Sequence, residues 1–320
     1  MLTCLVLVIV LLDAQTAVPA RGAGNVLRAD DDQARITAVK KISNRMRDLT
    51  ISSPAVGGSV PVRVILPRGW HEDKQATFPV LYMLHGGDDD YTSWTRETDI
   101  EALARSADFL IVMPDGGKAG YYSDWYVGTP RWETFHTSEL VRLMEREYRA
   151  SASRAVVGLS MGGFGALNYA ARHRGMFQYA AAMSAYVDLD DPVVRLTLTL
   201  GSSRDGIDIK DVWGDPEKNK ANWQAHNPSA MPEAFRGTRV HLSAGSGSPG
   251  PSDMKHQLDV VLVGAVAETT LPKSIKAFAS SLRRAGVRVT THHYHPGTHS
   301  WPYWERELHN IWPTVTRVLR

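Results

Sequence analysis

Cysteine is almost missing from this chain: of 320 residues only Cys4 carries a thiol, and it lies in an apolar opening run. That near-absence excludes a disulfide framework, a cysteine-ligated metal site and a thiol nucleophile from everything downstream. An excess of one charge is missing too. The 36 Lys and Arg against 34 Asp and Glu leave a formal net charge of +2, too little for the basic field that nucleic-acid binding uses. No internal repeat, low-complexity tract or HExxH pair occurs, so no metal and no cofactor are expected. A membrane-spanning run is also absent, since Leu2–Leu12 is shorter than the about 20 residues a span needs.

Followed by Asp13 and the small residues Ala14, Ala17, Pro19 and Ala20, that run reads as a secretory signal peptide over residues 1–26. No positive side chain precedes it, so either the amino terminus supplies the only positive charge or the true start lies upstream of Met1; a buried strand is the structural alternative. The expectation is a protein secreted or associated with the cell envelope.

Residues 27–45 are polar and charged and read as a linker or short helix, with a single domain expected over 46–320. Met46–Ser52 and Ser59–Leu66 read as strands about the turn-rich Pro54–Gly58. Phe78–Leu84 and Phe109–Pro114 are continuously apolar, as strands buried on both faces of a mainly parallel sheet are. Helical spacing runs over Trp94–Ser106, Thr134–Tyr148 and Leu271–Ala285. Further strands are predicted at Ala155–Leu159, Ala180–Ser184, Arg239–Ala244 and Val287–Tyr294. Residues 188–235, broken by Gly-Asp-Pro, Asn-Pro and Met-Pro, read as a mostly helical, loop-rich insertion of the cap type. Strands alternating with helices predict an α/β fold with helices on both faces of the sheet.

The motif that carries chemistry is Gly158-Leu159-Ser160-Met161-Gly162, where a buried strand turns through a serine into a helix. This is the pattern of an α/β-hydrolase nucleophile elbow, whose flanking glycines let strand and helix approach closely. A serine hydroxyl needs a base to take its proton and donors for the oxyanion. In that fold the histidine follows the last strand, which makes His299, in Gly297-Thr298-His299-Ser300-Trp301, the candidate base. His292, His293 and His295 are its rivals; His292 and His293 point to opposite faces of a strand, so at most one faces any given site. The Met161 amide and a donor from the loop after the third strand, Gly87 in His85-Gly86-Gly87, are the candidate oxyanion donors.

Pro114-Asp115-Gly116-Gly117, Tyr121 to Tyr126, Trp132 to Phe135, Val156 to Met161 and Gly297 to Trp304 together resemble the esterase D family of α/β-hydrolases. Within it they are most similar to the antigen 85 mycolyltransferases and their secreted esterase relatives. The resemblance covers about residues 45 to 320. It implies a serine acyl-enzyme mechanism on small-molecule or lipid esters, with Ser160, Met161, Gly87 and His299 in the roles just given. Mycolyltransferases carry Asp-Gly-Leu-Arg where this chain has His85-Gly86-Gly87-Asp88, and that segment helps bind trehalose in them. The expected activity is therefore hydrolysis of short to medium acyl esters; transfer to trehalose or a related sugar acceptor is the alternative. A catalytically silent cell-surface binding protein is a third reading, because relatives of the family bind extracellular matrix.

The acid is open. Relatives use a glutamate about thirty residues before the histidine, and alignment on Leu271-Pro272 puts Ala277 there. Glu268, in the loop or first turn before that helix, is the first candidate; Asp253 and Asp259 follow the preceding strand more closely. Asp88-Asp89-Asp90 lacks the alternation of a calcium loop. Trp125, Tyr126, Trp132, Trp301 and Trp304 either line an acyl groove or pack under loops.

Overall fold

The computed structural model of the chain describes residues 33–255 and 258–320, the side chains of residues 254–267 excepted. The expected signal segment and the first part of the expected linker lie outside this range. The strands are β1 (Arg35–Lys41), β2 (Met46–Ser53), β3 (Gly58–Ile65), β4 (Phe78–Leu84), β5 (Leu110–Pro114), β6 (Ala150–Leu159), β7 (Tyr179–Met183), β8 (Arg239–Gly245) and β9 (Val289–Tyr294). They form one sheet in the order β1-β2-β3-β5-β4-β6-β7-β8-β9. β1, β2 and β3 pair antiparallel and β3 meets β5 antiparallel, whereas β5, β4, β6, β7, β8 and β9 run parallel.

The central parallel strands β4, β5 and β7 are apolar throughout because both faces are covered. Along β4, Val80, Tyr82 and Leu84 belong to one core and Leu81 and Met83 to the other. The second core is covered by α1 (Ser93–Glu97) and α2 (Ile100–Leu103), through Trp94 and Ile100. The first takes α3 (Trp132–Thr134), α4 (Leu140–Tyr148) and α5 (Met161–Arg172), with Trp132, Leu143 and Leu167 turned inward. Residues 188–235 form α6 (Pro192–Arg204), α7 (Ile209–Trp213), α8 (Lys220–Ala225) and two short 3-10 turns. Leu271, Ile275, Phe278 and Leu282 of α9 (Leu258–Arg284) join the first core, and Leu308, Ile311 and Val315 of α10 (Trp301–Val318) the second. No helix among the described residues is long and apolar enough to cross a membrane.

Three expectations need correction. The linker expected through residue 45 contains strand β1, an edge strand exposed along nearly its whole length and held by backbone pairing to β2. With no buried face it has no alternation to read. The helix expected over 94–106 is interrupted at Thr98, whose hydroxyl donates to Trp94 O and accepts from the Ile100 N–H, ending one helix and starting the next. Finally, α9 starts at Leu258 rather than near Leu271. Pro272 looks like a helix start because proline suits the first turn; here it sits inside, with no N–H to offer the Glu268 carbonyl four residues earlier.

Candidate active site

β4 is flanked by β5 on one side and β6 on the other, so the chain changes direction across the sheet between them. A crevice opens at the carboxyl ends of strands at such a switch point. Gly86-Gly87 leaves β4 there and Ser160 leaves β6, with Leu84 and Gly158 paired in register. Ser160 has φ 50° and ψ −120°, an unusual conformation for a residue with a side chain, fixed by its N–H donating to Met183 O at 2.8 Å. The glycines around it have packing reasons. A Cβ on Gly158 would lie 2.1 Å from Gly162 O, and one on Gly162 would lie 2.4 Å from His85 O.

His299 Nε2 lies 2.9 Å from Ser160 Oγ, and its Nδ1 lies 2.9 Å from Glu268 Oε2. For Nε2 to accept the serine proton, Nδ1 must carry its own hydrogen and donate it to the carboxylate. Glu268 is fully buried in α9, and its other oxygen, Oε1, accepts from the Ser184 hydroxyl at 2.7 Å and from the Gly245 N–H. The Ser184 oxygen in turn accepts from Trp304 Nε1–H at 3.0 Å, and the Trp304 ring stands edge-on to His299. Each side-chain polar atom of this buried chain has a partner, which is what makes a buried carboxylate tolerable.

Met161 opens α5, so its N–H has no acceptor within the helix. Gly87, Met161 and Ser160 line one cavity of about 220 Å³, walled by Tyr121, Phe164, Tyr186 and Leu198. α6 brings Leu198 to this wall, and Tyr121 ties that helix in place through its hydroxyl to Ser202 Oγ at 2.9 Å. Behind Gly87 lies the buried imidazole of His85. Its Nε2 accepts from Gly116 N–H at 2.8 Å and its Nδ1 donates to Gly86 O at 2.7 Å, which ties the loop after β4 to the loop after β5.

The other candidates are placed elsewhere. Asp253 does not reach His299: its carboxylate accepts from Thr298 Oγ1, from Tyr303 OH at 2.7 Å and from Gly250 N–H at 2.7 Å. Burial raises its pKa, but the Thr298, Gly250 and Tyr303 bonds outweigh that and hold it below the usual carboxylate value. It clasps the histidine loop. The Asp259 side chain lies outside the described residues. His292 bonds Glu307, His295 bonds Ser246, and exposed His293 makes no contact with Ser160. Asp88 pairs with Arg204, Asp89 with Arg96, and Asp90 accepts from Thr92, so this acidic run is satisfied by its own neighbours. Trp301 packs on Trp94, Trp132 stacks on His136, and Trp125, Tyr126 and Trp304 also lie outside the cavity wall. The aromatics at the wall are Tyr121, Phe164 and Tyr186, which lay in loop or helix positions without a periodic signal. Ser184 was hidden at the end of an apolar strand.

A family profile described as "Putative esterase" matches residues 53–315. The chain belongs to this esterase family. Esterase Rv1288 of Mycobacterium tuberculosis is 34% identical over 281 residues, an alignment covering 85% of this chain and 59% of that protein. The chain thus spans less than two thirds of that relative. Diacylglycerol acyltransferase/mycolyltransferase Ag85B of Mycobacterium leprae is 30% identical over 286 residues, covering 85% of this chain and 83% of its own. Among solved structures, Mycobacterium tuberculosis MPT51 superposes with a TM-score of 0.73 at 22% identity, over 87% of this chain and 100% of that one. FphF, a fluorophosphonate-binding serine hydrolase of Staphylococcus aureus, gives 0.64 at 19% identity, over 86% and 98%. These likenesses show the α/β-hydrolase fold for this esterase-family chain, and the family is the one its sequence motifs resemble.

Proposed function

We propose that this protein is a secreted serine esterase acting on short to medium acyl esters. The observation that carries the reading is the unbroken hydrogen-bonded chain from Ser160 through His299 to Glu268. Ser160 Oγ attacks the ester carbonyl carbon as its proton passes to His299 Nε2, and Glu268 steadies the resulting imidazolium through Nδ1. The carbonyl oxygen, now negative, takes hydrogen bonds from the Met161 and Gly87 amides. The tetrahedral adduct collapses as His299 returns the proton to the leaving alcohol. Water then repeats the sequence on the acyl-enzyme and releases the acid. A cavity of about 220 Å³ suits a short acyl chain better than a long one. Export rests on the apolar opening run.

A second reading, transfer of the acyl group to a sugar or lipid alcohol, is favoured by the relatives named diacylglycerol acyltransferase/mycolyltransferase. It differs only in what attacks the acyl-enzyme. Turnover of a soluble acyl ester with trehalose present, with free acid and glycosyl ester measured separately, tests the choice. Free acid is the expected product; dominant glycosyl ester would overturn hydrolysis in favour of transfer. Ser160→Ala is expected to lose at least about a thousandfold in turnover under either reading; unchanged turnover would mean that another residue is the nucleophile, and no ester turnover in the folded wild-type protein would favour a silent binding protein.

A further inference from the structure

A second cavity, of about 670 Å³, begins where β7, β8 and β9 start, at the opposite strand ends from Ser160, and is closed on one side by α10. It shares no lining residue with the cavity at Ser160. Arg239 opens β8, Arg288 immediately precedes β9, and Arg317 comes from α10. Val240 pairs with Val289 and His241 with Thr290, so Arg239 and Arg288 stand side by side on the same face as His241, Thr290 and His292. From α10, Asn310, Thr314 and Arg317 follow helical spacing onto the same cavity.

Like charges placed directly across neighbouring strands repel. None of the three arginines makes an ion pair or a side-chain hydrogen bond among the described residues. The nearby carboxylate, Glu307, is fully buried and already engaged. Its Oε1 accepts from His241 Nε2 at 2.7 Å and Asn310 Nδ2 at 3.1 Å, and its Oε2 accepts from His292 Nδ1 at 2.6 Å. Glu307 thus fixes the polar floor without pairing directly with the arginines of the rim. The outcome is a concave surface where three arginines outnumber one carboxylate, which concentrates a positive field on whatever anion enters. Guanidinium groups fit phosphate oxygens two at a time, and the Asn310 amide and Thr314 hydroxyl can serve the remainder of such a ligand.

We propose that this cavity is a binding site for a phosphate-bearing ligand, separate from the esterase site, with Arg239, Arg288 and Arg317 as its anion clamp. The phosphate can belong to a soluble diphosphate or to a lipid headgroup. The test uses the full chain and two double variants that remove equal charge: R239Q/R288Q at the cavity, and R142Q/R174Q at exposed arginines elsewhere. Both are expected to fold with wild-type ester turnover, R239Q/R288Q being at least as stable as the wild type. Binding of inorganic pyrophosphate by calorimetry is expected at one site, becoming about tenfold or more weaker in R239Q/R288Q and unchanged in R142Q/R174Q. Co-sedimentation with vesicles of phosphatidic acid in phosphatidylcholine, lost only in R239Q/R288Q, would assign the phosphate to a lipid; pyrophosphate binding without vesicle binding would assign it to a soluble ligand. If neither probe binds, or if the two double variants weaken binding alike, the cavity is not an anion site.

Discussion

Ser184 donates its hydroxyl to Oε1 of Glu268 at 2.7 Å, leaving Oε2 for His299. Ser184, which holds Glu268, is thus itself held by the indole of Trp304. A hydrogen bond to a charged group contributes about 1.5–3 kcal/mol, about ten- to a hundredfold in rate. Ser184→Ala is expected to lower kcat of ester hydrolysis by that range with KM little changed, since Ser184 is fully buried and does not line the cavity at Ser160. A loss confined to KM would contradict the positioning role.

Glu268 and Asp253 separate cleanly. Glu268→Gln keeps the shape but removes the charge opposite His299, so turnover should fall on the order of a hundredfold or more. Asp253→Asn should loosen the Thr298–Tyr303 clasp, costing about 1–3 kcal/mol of stability with a smaller loss of rate. Paired kinetics and denaturant melts check both, and a larger rate loss at Asp253 would reverse the assignment.

The glycines divide in the same way. Gly158→Ala drives a Cβ into the Gly162 backbone at 2.1 Å, where neither strand nor helix can yield, and is expected to abolish folding. Gly87→Ala meets only Lys118 O at 3.4 Å and keeps its N–H, so the variant should fold and retain most turnover. Soluble yield, circular dichroism and ester kinetics distinguish the two.

Stability should depend on pH through two buried imidazoles. Burial lowers the pKa of His136 to about 3 and, aided by Arg172, that of His226 to about 4. Between those values and about 6.5 the unfolded chain binds protons that the folded chain refuses, so stability rises with pH across this window and is lost on acidification. Each group contributes up to about 1.4 kcal/mol per pH unit. Urea unfolding at pH 5 and pH 7 should show the lower stability at pH 5, with a reduced difference in His136→Gln. Equal stability at the two values would contradict the buried, neutral state.

Much of this protein was legible in its sequence because burial wrote it there. β4 and β5 are apolar throughout since both sheet faces are covered, and the packing at Gly158 and Gly162 forces the elbow's spelling. What burial did not mark was harder to read. β1 is exposed, so it looked like a linker, and Pro272 disguised the interior of α9 as its beginning. Glu268 could be named only by its distance from His299, because its fixing partners, Ser184 just after β7 and Gly245 at the end of β8, sit in sequence that says nothing about carboxylates. The wall residues Tyr121 and Tyr186 converge from separate segments that no local pattern joins.

If Ser160 is the nucleophile, it takes the acyl group and any acyl-mimicking probe. Labelling the intact protein with a fluorophosphonate probe and mapping the adduct by tandem mass spectrometry tests this most directly. One stoichiometric adduct on Ser160 is expected, absent in His299→Ala or slowed there by at least about a hundredfold. An adduct at another residue, or none in folded protein that still turns over ester, would contradict that role for Ser160.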